Sequence, residues 1–189
     1  MEILSQIFRS PEEKLDDAIL KGDAKTVKKL LERKDFIVNK LSPFHAACRS
    51  STREVVELLL KDPRVDVDRV DQDARTPFYC ACWNKKLEVV KLLLTDERID
   101  LNEGNRWEET PIMSLCSNGA ENFGLPILEH ILASGREIDL NKVNKKGKNC
   151  VEVAKENRRK EMASLMEKFM KEPEKTRHEL RTKLGLTGF

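Results

Sequence analysis

This chain of 189 residues has few aromatic side chains: they make up 5%, with one tyrosine and two tryptophans. A core built on aromatics is excluded, so packing must come from aliphatic residues and each tryptophan needs its own explanation. Glycine (8) and proline (7) are also sparse, which excludes collagen-like and linker-like chains. No run approaches the roughly 18 apolar residues of a membrane helix. The opening MEILSQIFRSPEEK, with Glu2 and a brief apolar stretch, lacks the basic start and long apolar centre of a secretion signal. The five cysteines are odd in number and scattered from Cys48 to Cys150, unlike the dense even set of a small secreted disulfide scaffold. A reducing compartment is therefore expected, cytoplasmic or nuclear, with no membrane partner. No glycine-rich phosphate loop is present, and His45, His130 and His178 fall in no spacing that assembles nucleophile, base and orienting group. The expectation is no enzyme and no cofactor.

Charged residues are plentiful at 36% and apolar residues reach 39%, the balance of a soluble, ordered, helix-rich protein. The chain also repeats itself. SPFHAACRSSTREVVELLLKD begins at Ser42 and TPFYCACWNKKLEVVKLLLTD at Thr76, 34 residues later; a further 34 lands on TPIMSLCSNG from Thr110. The second half of that third copy, LPILEHILASG from Leu125, follows a four-residue insertion, and NCVEVAKENRRKEMASLMEK from Asn149 is a weaker copy. Upstream, KLDDAILKGDAKTVKKLLERKD has the two-helix pattern without the Thr-Pro start. A period of this length marks stacked units, each completing its neighbour's core.

Within one unit, Thr76 suits a helix N-cap and Pro77 the first helical position, where its missing donor is harmless. Asn84, Lys85 and Lys86 form a polar break. Val89, Leu92 and Leu93 then line one face of a second, antiparallel helix. Between units, Ile99 and Leu101 alternate briefly before Asn, Gly and charge, which reads as an extended excursion and turn.

The pattern T-P-x-H-x-A, then V-V-x-L-L-L, at this period resembles the ankyrin repeat family over residues 11 to about 171. The resemblance implies an all-α solenoid of stacked helix-turn-helix units joined by extended, hairpin-like connections, about five units including degenerate caps. The units expected are 11–39 as N-terminal cap, 40–70, 71–104, 105–143, and 144–171 as C-terminal cap, with 1–10 a tail and 172–189 a basic helix or tail. Departures from the family pattern mark irregular places. Its histidine survives only as His45, being replaced by Tyr79, Met113 and Glu152, and Tyr79 is expected to loosen the link between units. Its glycines are replaced by Ser51 and Lys85 between helices and by Lys40, Ala74 and Glu108 before Thr-Pro, which puts the left-handed turns there in question.

The period gives each unusual residue an address. Cys48, Cys82 and Cys116 lie 34 apart in one column, where repeats about 10 Å apart cannot bring three thiolates around one metal at about 2.3 Å. Packing is the reading the spacing favours. Cys80 and Cys82 point to different faces, which disfavours a redox pair, and Cys150 is expected to be more exposed. Trp83 and Trp107 are both expected to be substantially exposed, Trp83 on the face that the family turns to its concave side and Trp107 near a turn tip. The resemblance adds the turn residues Gln72, Asp73, Arg75, Arg106 and Glu109 and the first-helix residues Arg49, Ser50, Asn84, Ser117 and Asn118 as partner-binding candidates. The insertion SNGAENFGLP, with Phe123, is expected to lengthen a loop.

Residues 142–189 hold 14 Lys and Arg against 7 Asp and Glu, net +7, leaving −5 for the rest. A basic end can attract phosphate backbones or simply solubilise a cap. The leading expectation is a monomeric, non-catalytic scaffold that binds another protein or a peptide. The alternative is nucleic acid or another anionic partner held by the basic C-terminal region.

Overall fold

Helix-start signals recur along the chain, and five of them form caps. Ser10, Asp23, Thr76, Thr110 and Asn149 accept with their side chains the N–H of the residue three places on, satisfying a donor that the first turn leaves over. In the computed structural model, which describes residues 9–35, 37–39, 42–50, 52–117 and 121–186, eleven helices follow among those residues and no strand. They are α1 (Pro11–Lys21), α2 (Ala24–Leu31), α3 (Pro43–Ser50), α4 (Arg53–Leu60), α5 (Pro77–Trp83), α6 (Leu87–Leu93), α7 (Pro111–Ser117), α8 (Glu121–Ala133), α9 (Cys150–Glu156), α10 (Lys160–Lys171) and α11 (Pro173–Lys183).

Helices pair within units, α1 with α2 through α9 with α10, and stack in two rows. First helices α1, α3, α5, α7 and α9 touch in order, as do second helices α2, α4, α6, α8 and α10. This is an ankyrin-type solenoid. The 34-residue period becomes columns of buried side chains: Cys48, Cys82 and Cys116 are fully buried in the first-helix row, and Leu59, Leu93 and Ile131 in the second. Cys150, expected nearer the surface, is also buried because it opens α9 inside the stack, where its Sγ–H donates to Leu140 O at 3.2 Å.

The left-handed turns persist without glycine. Lys85 (φ 55°) and Arg158 (φ 60°) hold, between their paired helices, the conformation that Gly22 (φ 68°) takes in the first pair, and Ala74 (φ 57°) and Glu108 (φ 61°) hold it before Thr-Pro. Packing of the flanking helices overrides a local cost of about 1–2 kcal/mol per residue. Lys40 and Ser51 lie outside the described residues. The insertion does not simply lengthen a loop: residues 121–126 of it are helical, so α8 begins a turn early and runs through Pro126. Gly124 permits this, since a Cβ there would stand 3.1 Å from Leu115 O and 3.3 Å from the Met162 sulfur.

The C-terminal α11 docks on α8 and α10. Thr176 and Leu180 are buried there, and Arg181 Nε–H donates to Ala133 O at 2.9 Å. Arg181 continues a column of arginines, each satisfying carbonyls at the end of a second helix. Arg64 takes Leu31 O and Arg33 O, Arg98 takes Leu60 O, and Arg136 takes Asp96 O and Ile99 O. Leu31 O, Leu60 O and Ala133 O are acceptors that a helix C-terminus leaves over, while Arg33 O, Asp96 O and Ile99 O lie in the turn that follows.

Candidate functional site

Between units the chain turns through tips built to one plan, hairpin-like but without strand. Asp71, Asn105 and Asn144 each accept, on one side-chain oxygen, the N–H groups two and four residues on, at 2.9–3.1 Å. The backbone closes each tip with Asp71 N–H to Arg75 O, Asn105 N–H to Glu109 O and Asn144 N–H to Lys148 O, all at 3.0 Å. Successive tips are then stitched: Arg106 N–H donates to Asp73 O at 2.9 Å and Lys145 N–H to Trp107 O at 3.0 Å. Charge reinforces the first junction, where Asp73 pairs with Arg106 at 2.7 Å and with Arg75 at 3.2 Å. Burial pushes the Asp71 carboxyl upward, but hydrogen bonds from the Arg75 side chain and from the Arg75 and Asp73 N–H groups outweigh it and hold it below the usual range.

The tips are also tied to the first helices. His45 Nε2 lies 2.8 Å from Arg75 O; a carbonyl only accepts, so the proton is on Nε2. Burial lowers the His45 pKa, partly opposed by this bond. Tyr79 does not loosen the next link. Asn105 Nδ2–H donates to its hydroxyl at 3.0 Å, rebuilding the bridge with a longer side chain and a different donor.

Of the tip candidates, Gln72, Arg106 and Trp107 are exposed, and Asp73, Arg75 and Glu109 are half-buried within the bonds just described. Trp107 is 47% exposed, with the Arg106 guanidinium 4.5 Å from its ring centroid. Trp83 differs from expectation. It is only half-buried surface because its indole lies nearly parallel to the Tyr79 ring, at 14° and 6.4 Å, one turn back on α5.

On the first-helix face, Arg49, Ser50 and Asn84 are exposed and Ser117 is half-buried; Asn118 lies outside the described residues. Ser50, Asn84 and Ser117 donate back to the helix carbonyls Ala46 O, Cys80 O and Met113 O at 2.7–3.0 Å, so part of their polarity is spent locally. Arg49 lies opposite Asp16, whose carboxyl burial pushes up against the pull of that guanidinium. The structure thus gathers the tip candidates into one bonded strip and leaves the helix candidates as a separate column.

Three features escaped the sequence reading of this surface. Leu20, 52% exposed, continues the Arg49, Trp83 and Ser117 column onto α1. The arginine column was visible as Asp62-x-Arg64 and Asp96-x-Arg98, 34 residues apart. Lys145 and Lys146 occupy the third tip at the positions of Arg106 and Trp107 in the second. The four-residue insertion and one further residue between Arg136 and Asp139 hide that correspondence by shifting the offset to 39. Trp107, Glu109, Asn144, Lys145 and Lys146 line a cleft of about 330 Å³.

The thiols are poorly placed for chemistry. All five are buried and unpaired. Burial pushes Cys80 up to about 11 and Cys116 and Cys150 up to about 12, and raises Cys48 and Cys82 further, so the reactive thiolate is disfavoured. Among the described residues no group of three or more His, Cys, Asp or Glu could hold a metal ion, and no helix is long and apolar enough to cross a membrane.

In comparison with known proteins, a family model for ankyrin repeats, in three copies, matches residues 15–105. No curated protein matches the chain.

Proposed function

Residues 15–105 of this chain belong to the ankyrin-repeat family, whose members are generally protein-interaction modules, and from that premise we propose a non-catalytic scaffold that binds a partner protein or peptide. The partner lies across the turn tips and the concave face of the first helices. The observation that carries this reading is the stitched strip of tips. Its backbone is locked by repeated bonds while the residues at its tips change from Gln72-Asp73 to Arg106-Trp107 to Lys145-Lys146. A fixed frame with a changing surface presents contacts at little ordering cost.

Trp107 is the proposed anchor, an exposed indole of the kind that dominates binding energies. Arg49, Ser50, Gln72, Asp73, Arg75, Trp83, Asn84, Arg106, Glu109, Ser117 and Asn118 complete the proposed surface. Asp73 and Arg75 serve mainly by shaping the first tip. The proposed protein is monomeric and cytoplasmic or nuclear, in keeping with five cysteines carried as buried thiols.

Affinity capture from the native cell, with Trp107→Ala plus Arg49→Ala beside the wild type, tests the reading. Loss of the captured protein with helical circular dichroism intact is expected. Unchanged recovery removes those residues from the surface. The alternative, nucleic-acid binding by the C-terminal region, is weakened by how many of its cations are engaged. Lys148, Lys155, Lys175 and Lys183 pair with Glu156, Glu167, Glu172 and Glu129, and Arg181 caps α8.

A further inference from the structure

We propose that the cleft between the last two tips binds an acidic peptide segment carrying an apolar side chain, an inference that deepens the interaction reading above and rests on it. Three observations converge there. The indole of Trp107 is exposed yet already positioned: Arg106 lies over its ring, and that same guanidinium is fixed by Asp73 on the preceding tip. An apolar side chain meeting it finds a surface whose ordering cost has been met in the free protein. Beside the ring stand Lys145 and Lys146, both exposed, with their backbone fixed by the bonds from Lys145 N–H to Trp107 O and from Lys146 N–H to Asn144 Oδ1. Among the described residues neither ammonium has a carboxylate within ion-pair distance, although the neighbouring Lys148 is matched to Glu156. Two unmatched cations next to an exposed indole complement a segment that alternates carboxylates with an apolar group.

The same surroundings argue against a phosphate backbone as occupant. Glu108 is exposed at the second tip, and Glu109, whose carboxylate accepts from Asn105 Nδ2 at 3.3 Å, lines the cleft itself. A backbone of regularly spaced phosphates needs a continuous basic track with several stacking platforms. Here one aromatic ring and two lysines stand between carboxylates, and the basic side chains beyond them are mostly paired. A peptide can place its carboxylates on the lysines alone.

Selection of a random displayed-peptide library on the full chain at low salt tests this. Titration of the full chain into the best synthetic peptide, labelled with fluorescein and read by anisotropy, then follows. Enrichment of net-acidic sequences with an apolar residue is expected, with saturable binding of the labelled peptide. Affinity should fall about tenfold or more in Lys145→Ala plus Lys146→Ala and about 30-fold in Trp107→Ala. Both lysines are exposed, so the folded double variant should show wild-type circular dichroism. Enrichment of neutral or basic peptides, or equal affinity of the lysine variant, overturns this inference and leaves the interaction reading standing. Failure to enrich any peptide also overturns it. If a single-stranded oligonucleotide is then retained at the same salt, the interaction reading falls with it.

Discussion

Single residues set the shape of the second tip through an unusual division of labour. Gly104 stays small because a Cβ there would approach the Glu108 carbonyl carbon to 2.9 Å, whereas Glu108 itself holds φ 61° without being glycine. The two positions should respond oppositely to substitution. Gly104→Ala is expected to cost about 1–3 kcal/mol through overpacking against backbone. Glu108→Gly should gain up to about 1 kcal/mol, since relief of left-handed strain exceeds the added chain entropy. Urea titration of the two variants reads both signs. His45 makes a second prediction. Its folded pKa lies below the unfolded value, so the folded state binds fewer protons than the unfolded one in acid. The stabilisation is whole above the unfolded pKa of about 6.5 and is lost as pH falls through the folded value. Stability of the wild type should therefore drop more steeply on acidification below about pH 6.5 than that of His45→Gln, as followed by denaturant midpoints at stepped pH.

At the level of elements, carbonyls at or just beyond the ends of α2, α4, α6 and α8 take an arginine donor from later in the chain. Arg136 carries the largest share. Its guanidinium reaches Asp96 O at 2.8 Å and Ile99 O at 2.6 Å, with longer approaches to Leu94 O and Glu97 O. Arg136→Ala should cost about 2–3 kcal/mol, the range for losing bonds to a charged donor with acceptors left partly buried. The loss should concentrate at the junction of α6 and α8, where hydrogen exchange of the α6 amides would accelerate more than that of α4. Uniform acceleration throughout would show that the arginine acts on global stability alone. The α7 terminus is handled differently: Lys85 from the preceding unit donates to Leu115 O at 2.9 Å, and Arg159 from a later one donates to Cys116 O at 3.3 Å. Burial in this position lowers the Lys85 pKa. Much of this was written in the sequence as helix pairs with their caps. The donors were not legible, because each bond joins residues some 30 to 48 positions apart and exists only once the units are in register.

Taken whole, the molecule is a stack whose stability is a sum of unit and junction contributions, with α11 docked on the second helices of its last two units. Ending the chain after Glu172 would uncover the surface that Thr176 and Leu180 bury and free the Ala133 carbonyl held by Arg181. A loss of about 3 kcal/mol is expected, or roughly 6–12 °C in Tm by thermal circular dichroism; an unchanged Tm would make α11 an appendage. The repeat in the sequence dictates the architecture. A 34-residue period with Thr-Pro starts and an aliphatic second helix leaves no other way to bury the apolar faces than stacking. It also determined that Cys48, Cys82 and Cys116 form one packed column, since equal spacing in a periodic stack means equal environment. Which candidates remain available to a partner depends instead on the folded stack. Trp83 and Trp107 look alike in the sequence, but Tyr79 one helical turn away draws Trp83 partly inward, while the stitched tips hold Trp107 out beside Lys145 and Lys146. Exposure depends on what the neighbouring unit places alongside, and that is set by the register of the stack.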